Sequence, residues 1–356
     1  MRKEETTKGL QFKLESDSQI TRIANNFFQS KTQGEYSAND VAVVKEFFYH
    51  TLQSKPLKKY KVAFCFICIN PPYWEFITKA IEGARQFFLP NHQVDYFVWS
   101  DIPEKPEEIT QKIAEDLLKN GQAQYSVISA EHVNILLEEN KKKELDETVR
   151  GLVNIRKGIN IFETESVQWP MPTLFRYNLF LQQEEKLREY DYIFYCDADM
   201  VFTNYIGDEI LGDGLTAALH PMYALRQNFK APFEPNPQSA AYIPFHNTYY
   251  AGGFQGGTSK EFIKAMKEMR RTIDLDFEKN NYIARWNDES HWNKYLKDNS
   301  PAITLSPAYI YPDSLIDEYY VKLWGRNYSP KIITLTKKFS VSKEGGQAVN
   351  EQLKTL

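Results

Sequence analysis

Two carboxylates two residues apart, Asp197 and Asp199, close the apolar run Tyr192-Ile193-Phe194-Tyr195-Cys196. Side chains at i and i+2 of an extended chain point the same way. Both can therefore face one hard cation and, through it, a diphosphate. An all-oxygen donor set favours Mg²⁺ or Mn²⁺ over zinc or copper. A second acidic pair, Asp288-Glu289, stands in the segment Trp286 to Leu296. That segment reads as a helix capped by Asn287 or Asp288, with Trp292, Tyr295 and Leu296 turned inward. The same pattern also fits an ordinary amphipathic helix whose acidic first turn suits the helix dipole. The run Gly252-Gly253-Phe254-Gln255-Gly256-Gly257 lacks the Gly-x-Gly-x-x-Gly spacing of a dinucleotide-binding turn. Its glycines read instead as backbone that approaches a ligand closely, such as a sugar ring.

The elements that must position these groups follow from hydrophobic periodicity. Lys61 to Ile69 is a near-continuous apolar run, as expected for a strand covered on both faces. A helix is predicted from Trp74 to Phe88 and a strand from Val94 to Trp99, ending at Ser100-Asp101. Further helices are predicted near 107–120, at 131–149 and near 172–189, with a strand near 125–129. The last of these helices leads into the strand that ends at Asp197. Strands alternating with helices imply an α/β fold with a mostly parallel sheet. Ligands of such sheets bind beyond the carboxyl ends of the strands, where Asp197 and Asp199 fall. Residues 1–58 read as a separate helical arm with apolar faces at Ile20, Ile23, Phe27 and at Val41, Val44, Phe48.

Composition narrows the function classes. The chain has 356 residues, 42% of them hydrophobic and 14% aromatic, with a formal charge of −4. Mean hydropathy is −0.53. Nothing here makes an electrostatic case for nucleic acid or an anionic membrane surface. The high aromatic content suits stacking against sugar C–H faces. Cys65-x-x-Cys68 sits inside the first strand with no second ligand pair, so both read as buried core residues rather than a zinc or redox site. No signal peptide begins the chain and no run approaches the length of a membrane span. A cytoplasmic location is expected if the chain is complete, and a Golgi lumen only if an anchor has been removed.

Taken in order, several blocks resemble glycosyltransferase family 6, which contains the blood-group A and B transferases and α1,3-galactosyltransferase. They are Trp169 with Arg176, Cys196 to Met200, His220-Pro221, Pro237 to Pro244, Tyr249 to Gly257, Trp286 to Leu296 and Leu305-Ser306-Pro307. The resemblance covers roughly residues 60 to 350. It implies a GT-A fold: a mixed, mostly parallel central sheet flanked by helices. In that reading 59–356 form the transferase domain, with a nucleotide-sugar half at about 59–200, an acceptor half at about 201–330 and a closing tail at 331–356. It further implies a retaining transfer of GalNAc or Gal from the UDP-sugar to the 3-OH of a galactose-type acceptor, fucosylated or not. The Asp-x-Asp marks a metal-dependent member, of the soluble kind found in bacteria or phage, using Mn²⁺ or Mg²⁺.

The resemblance also implies roles. Asp197 and Asp199 hold the metal and donor diphosphate. Tyr73 stacks on uracil, and Ser100 belongs to the donor-binding set. Arg176 lies near the donor sugar and phosphates, where its planar fork suits phosphate or paired hydroxyls. Asp288 binds donor-sugar hydroxyls, and Glu289 sits below the anomeric carbon, near the acceptor. Ala251, Gly252 and Gly253 track donor choice; Gly253 leans towards UDP-GalNAc, a preference of only ~1–3 kcal/mol for one methyl group. His220, Trp286 and Asp313 contact acceptor, although His220 taken alone reads more often as structural, a reading the family context reverses, and Asp313 stands one residue late for the family spacing. Lys343 is the tail residue expected to reach the diphosphate, unless the terminus is only a frayed polar end. The competing readings are a retaining GT-A enzyme of another family and a non-catalytic carbohydrate-binding derivative.

Overall fold

The computed structural model describes residues 58–119, 139–156, 158–224, 231–313 and 330–336. The predicted helical arm over 1–58 (but for its last residue), the strand near 125–129, the first part of the helix at 131–149 and Lys343 lie outside these residues.

The sheet strands are β1 (Lys61–Cys68), β2 (Gln93–Ser100), β3 (Asn160–Glu163), β4 (Tyr192–Cys196), β5 (Met200–Phe202), β6 (Leu215–Leu219), β7 (Tyr250–Thr258), β8 (Ile303–Leu305), β9 (Tyr311–Pro312) and β10 (Ile332–Thr334). Seven of them form one sheet in the order β3-β2-β1-β4-β7-β6-β8. β7 runs antiparallel to both its neighbours, and every other pairing is parallel. β5, β10 and β9 make a second, smaller sheet. This is the mixed, mostly parallel arrangement expected from the sequence.

The helices are α1 (Pro71–Phe87), α2 (Pro106–Lys119), α3 (Glu139–Ile155), α4 (Met171–Leu174), α5 (Arg176–Leu181), α6 (Glu184–Leu187), α7 (Pro221–Ala224), α8 (Ser259–Asp274) and α9 (Asn287–Asp298). Alternate residues of the central strands feed two cores, one on each face of the sheet. Phe64, Phe66, Phe194 and Cys196 pack with α1 on one side. Ala63, Cys65, Ile193 and Tyr195 pack with α5, α8 and α9 on the other. Cys65 and Cys68 thus point into opposite cores, so this C-x-x-C does not form a pair. Their thiols are buried and pushed above the usual range by desolvation.

Two expectations need correction. The single helix predicted near 172–189 is three short ones, broken at Phe175 and at Gln182-Gln183. The predicted cap of α9 is also different. Trp286 is its N-cap, without a side-chain cap, and Asn287 is the first helical residue, with φ 50°. Ser290 Oγ accepts from Trp286 N at 3.0 Å, satisfying a group ahead of the helix from one turn inside it. Asp288 is drawn away from the capping role by a cation. Trp292, Tyr295 and Leu296 are buried as expected.

Candidate active site

The site is assembled where β4 and β7 meet. β4 is buried throughout and delivers Asp197 at its carboxyl end. The backbone N–H of Asp197 donates to Gly253 O on β7 at 2.9 Å. The start of α9 brings Asp288 and Glu289 against the same stretch of β7, and α5 opens with Arg176 aimed at both. These groups line a cleft of about 220 Å³ with Asp199, Tyr73 and Trp286. The carboxyl-end location predicted from the fold class is thus where the groups converge.

Arg176, 4% exposed, is the hinge of the charge arrangement. Its guanidinium stands 3.4 Å from Asp197 Oδ1 and 3.2 Å from Asp288 Oδ2, and donates to Gly252 O at 3.2 Å. It also lies 4.2 Å from the Tyr195 ring centre. Burial works against its charge, but the carboxylates of Asp288 and Asp197 and the neighbouring phenols outweigh that and raise its pKa. Asp288, 2% exposed, is pushed up to about 7, first by desolvation, with Arg176 pulling the other way. Its Oδ2 meets Arg176 as an ion pair without an aligned hydrogen bond. That oxygen can still accept a ligand hydroxyl, which the cost of a buried unsatisfied acceptor favours.

Glu289 is gripped on both oxygens. Tyr249 OH donates to Oε1 and the Gly252 N–H to Oε2, each at 2.7 Å. The Tyr249 phenol is pushed well above its usual pKa, chiefly by burial, so it stays a donor. Tyr195 OH makes a short bond to Asp197 Oδ1. The Asp197 side chain is more open than its partners, at 36% exposure.

The glycines prove to make room for the protein's own carboxylates. A Cβ on Gly252 would stand 3.0 Å from Glu289 Cβ, and one on Gly253 would stand 2.7 Å from Asp197 Oδ2. The second glycine pair serves strand packing. A Cβ on Gly256 would lie 2.2 Å from the Phe194 ring, and Gly257 has φ 146° against Gly214 O. At Gly252 and Gly253 the close neighbours are the protein's own carboxylates, and both glycines also line the cleft.

Other expected residues lie apart from the cleft. Ser100 is fully buried and its hydroxyl donates to Cys68 O at 2.5 Å, tying the tips of β1 and β2. Ala251 is part of the core. Asp313 accepts from Thr336 N at 2.9 Å and from Thr336 Oγ1, joining the ends of β9 and β10. His220 is one residue removed from the site, its ring 5.7 Å from that of Tyr249. Its Nδ1 accepts from Met222 N, and burial lowers its pKa, so it is a neutral imidazole with the proton on Nε2. Sequence reasoning missed Tyr195, Tyr249 and Gln255 as individual functional groups; the aromatic ones carried no signal beyond core packing.

Among the described residues no group of three or more His, Cys, Asp or Glu can hold a metal. Asp197 and Asp199, both on the cleft, offer two carboxylates. Such a pair fits a hard cation whose remaining ligands are substrate and water oxygens. No helix among the described residues is long and apolar enough to cross a membrane.

The family model for glycosyltransferase family 6 matches residues 156–327. The chain is similar to globoside α-1,3-N-acetylgalactosaminyltransferase 1 of Gallus gallus, 28% identical over 68% of this chain and 59% of the relative. It is similar to histo-blood group ABO system transferase 1 of Rattus norvegicus to the same degree and with the same coverage. It also resembles the O-antigen biosynthesis glycosyltransferase WbnI of Escherichia coli, 29% identical over 50% of this chain and 73% of the relative. The chain spans 59% of the length of the first two curated relatives.

Proposed function

We propose that this chain, similar to glycosyltransferase family 6 over residues 156–327 and to the two animal transferases above, is a retaining, metal-dependent α1,3-glycosyltransferase with a GT-A fold. It moves GalNAc, or Gal, from a UDP-sugar to the 3-OH of a galactose-ended glycan. The observation that carries this reading is Arg176, which touches Asp197 on one side and Asp288 on the other and binds the carbonyl of Gly252, whose N–H holds Glu289. One guanidinium thereby links the groups suited to a diphosphate with those suited to a sugar ring.

In this reading Tyr73 stacks on uracil. Asp197 and Asp199 hold Mn²⁺ or Mg²⁺, which when bound supplies positive charge to the departing diphosphate. Arg176 adds a fixed cation beside it, and Asp288 accepts hydroxyls of the donor sugar. The bond from the anomeric carbon to UDP breaks, and a bond to the acceptor O3 forms on the same face. Glu289 lies below that carbon as positive charge develops. It serves either as the nucleophile of a double displacement or as the carboxylate that steadies a same-face return. In the second route the acceptor hydroxyl gives its proton to a departing phosphate oxygen. Two 2.7 Å donors on Glu289 tie up electron density on both its oxygens, which favours the steadying role. Trp286, 45% exposed at the rim, suits an acceptor sugar face.

UDP release is the test, measured from UDP-GalNAc and UDP-Gal, with Mn²⁺ or EDTA, and with or without lactose or fucosylated lactose. Release that depends on Mn²⁺ and rises with acceptor supports the reading. Release that is indifferent to EDTA overturns the metal requirement, and release unaffected by any galactose-ended acceptor overturns the acceptor class.

A further inference from the structure

Gln255 is an amide in the middle of an otherwise apolar strand, fully buried, flanked by Phe254 and Gly256. Burying an amide costs free energy unless its donor and acceptor are both matched. Here both are. Its Oε1 accepts from Tyr177 OH at 2.9 Å, and its Nε2 donates to Gly252 O at 2.9 Å. Tyr177, on α5, is itself fully buried. The chain of bonds therefore runs from the helix that carries Arg176, through Gln255, to the carbonyl of the residue whose N–H holds Glu289.

The Gly252 unit needs such support. β7 pairs with β4 over Phe254–Thr258, and with β6 at Tyr250 and over Gln255–Gly257. Neither ladder takes up Gly252, and the register with β6 shifts beside it. Side chains bind both its backbone groups instead: Glu289 on the N–H, Arg176 and Gln255 on the carbonyl. A glycine followed by a second glycine has wide backbone freedom. A change in the Gly252 dihedrals would move the carbonyl held by Arg176 and Gln255 relative to the N–H that holds Glu289.

We infer that Gln255 and Tyr177 are a positioning pair that fixes the Gly252 carbonyl, and through the Gly252 backbone sets Glu289 against Arg176 for the transfer. This rests on the role proposed for Glu289, and touches neither the donor nor the acceptor directly. Gln255 is the part a ligand-centred reading of the strand overlooks, because it is buried and does not line the cleft.

The test uses Gln255→Met, which keeps length and volume but neither hydrogen bond, Tyr177→Phe, which removes one hydroxyl, and the double variant. Each single change is expected to lower kcat roughly ten- to a hundredfold, as when a buried partner of a reacting group is lost. Donor KM should change less than about threefold. The double variant should be no slower than Gln255→Met alone, since both act through one peptide. Independent, multiplying losses would mark general loosening and overturn the inference, as would wild-type kcat in Gln255→Met. Crystal structures of Gln255→Met give a readout separate from turnover: the Gly252 carbonyl should turn away from Arg176, and an unmoved peptide refutes the idea. Glu289→Gln run alongside separates the two levels. If that variant is inactive while Gln255→Met is normal, only the positioning role fails. If Glu289→Gln is itself normal, the role of Glu289 fails whatever Gln255 does.

Discussion

Gly253→Ala separates two reasons for a glycine beside the paired aspartates. In one, the missing Cβ leaves room for the donor N-acetyl group, and alanine merely shifts preference from UDP-GalNAc to UDP-Gal. In the other, the glycine leaves room for the carboxylate of Asp197, the proposed metal ligand. A Cβ at 253 would stand 2.5 Å from Met200 Cε, 2.7 Å from Asp197 Oδ2 and 3.0 Å from Ile310 Cδ1. The Met200 methyl is the end of a flexible chain and can swing aside. Asp197 has less freedom, because Tyr195 and Arg176 hold its other oxygen. Its carboxylate must turn, or the strand must shift, at a cost in the overpacking range of about 1–3 kcal/mol. If that strain falls on the metal site, it weakens Mn²⁺ binding roughly five- to 150-fold. Titrating Mn²⁺ into the UDP complex by paramagnetic resonance, and into turnover assays with each UDP-sugar, measures this directly. The expected result is a raised Mn²⁺ requirement with both donors. An unchanged Mn²⁺ midpoint with an inverted donor preference would refute the steric reasoning.

Glu289→Gln should reduce kcat by several orders of magnitude while UDP-sugar binding measured by calorimetry persists. Raising the pH through about 7 should increase kcat/KM, because Asp288 ionises there to pair with Arg176 and accept sugar hydroxyls; Asp288→Asn should flatten that limb of the profile. The same raised pKa acts oppositely on stability. The buried carboxyl favours its neutral form, so its contribution is complete below the unfolded value near 4 and fades as pH rises through about 7; thermal melts of wild type and Asp288→Asn across that window should converge at low pH. Lys331→Met should lower stability by about 3–5 kcal/mol in denaturant melts, because it strips the ammonium from buried Glu209, 2.6 Å away.

What could be read from the chain was whatever local pattern dictates. The continuous apolar runs of β1 and β4 fix buried central strands, and β4 must end at Asp197 because two acids cannot remain in that core. The inward face of α9 follows from its spacing. The break within 172–189 left no mark, since no glycine or proline stands at Phe175 or Gln182; tertiary packing sets it. The cap of α9 was misjudged because Asp288 is a good capping residue only until Arg176, far off in sequence, competes for it. Gln255 is a lone polar residue in a glycine run; the Gly252 carbonyl is local to it, but Tyr177, 78 residues away, becomes its neighbour only when α5 packs on β7.

The reversed strand β7, next to the central strand of the sheet, has a further consequence for how the molecule comes into being. Its partner β4 also pairs with β1, so Val62 must find Tyr192 and Phe194 must find Gly256. These are high-contact-order pairings, whose loop-closure entropy is spent before any reward arrives. During synthesis the β4 edge emerges well before β7 can cover it. Until then it is an apolar strand with an open hydrogen-bonding edge, the kind of surface that recruits chaperones or aggregates. The strand that covers the nascent β4 edge is therefore also the one that brings Gly252 and Gly253 to the candidate site, which α9 completes afterwards.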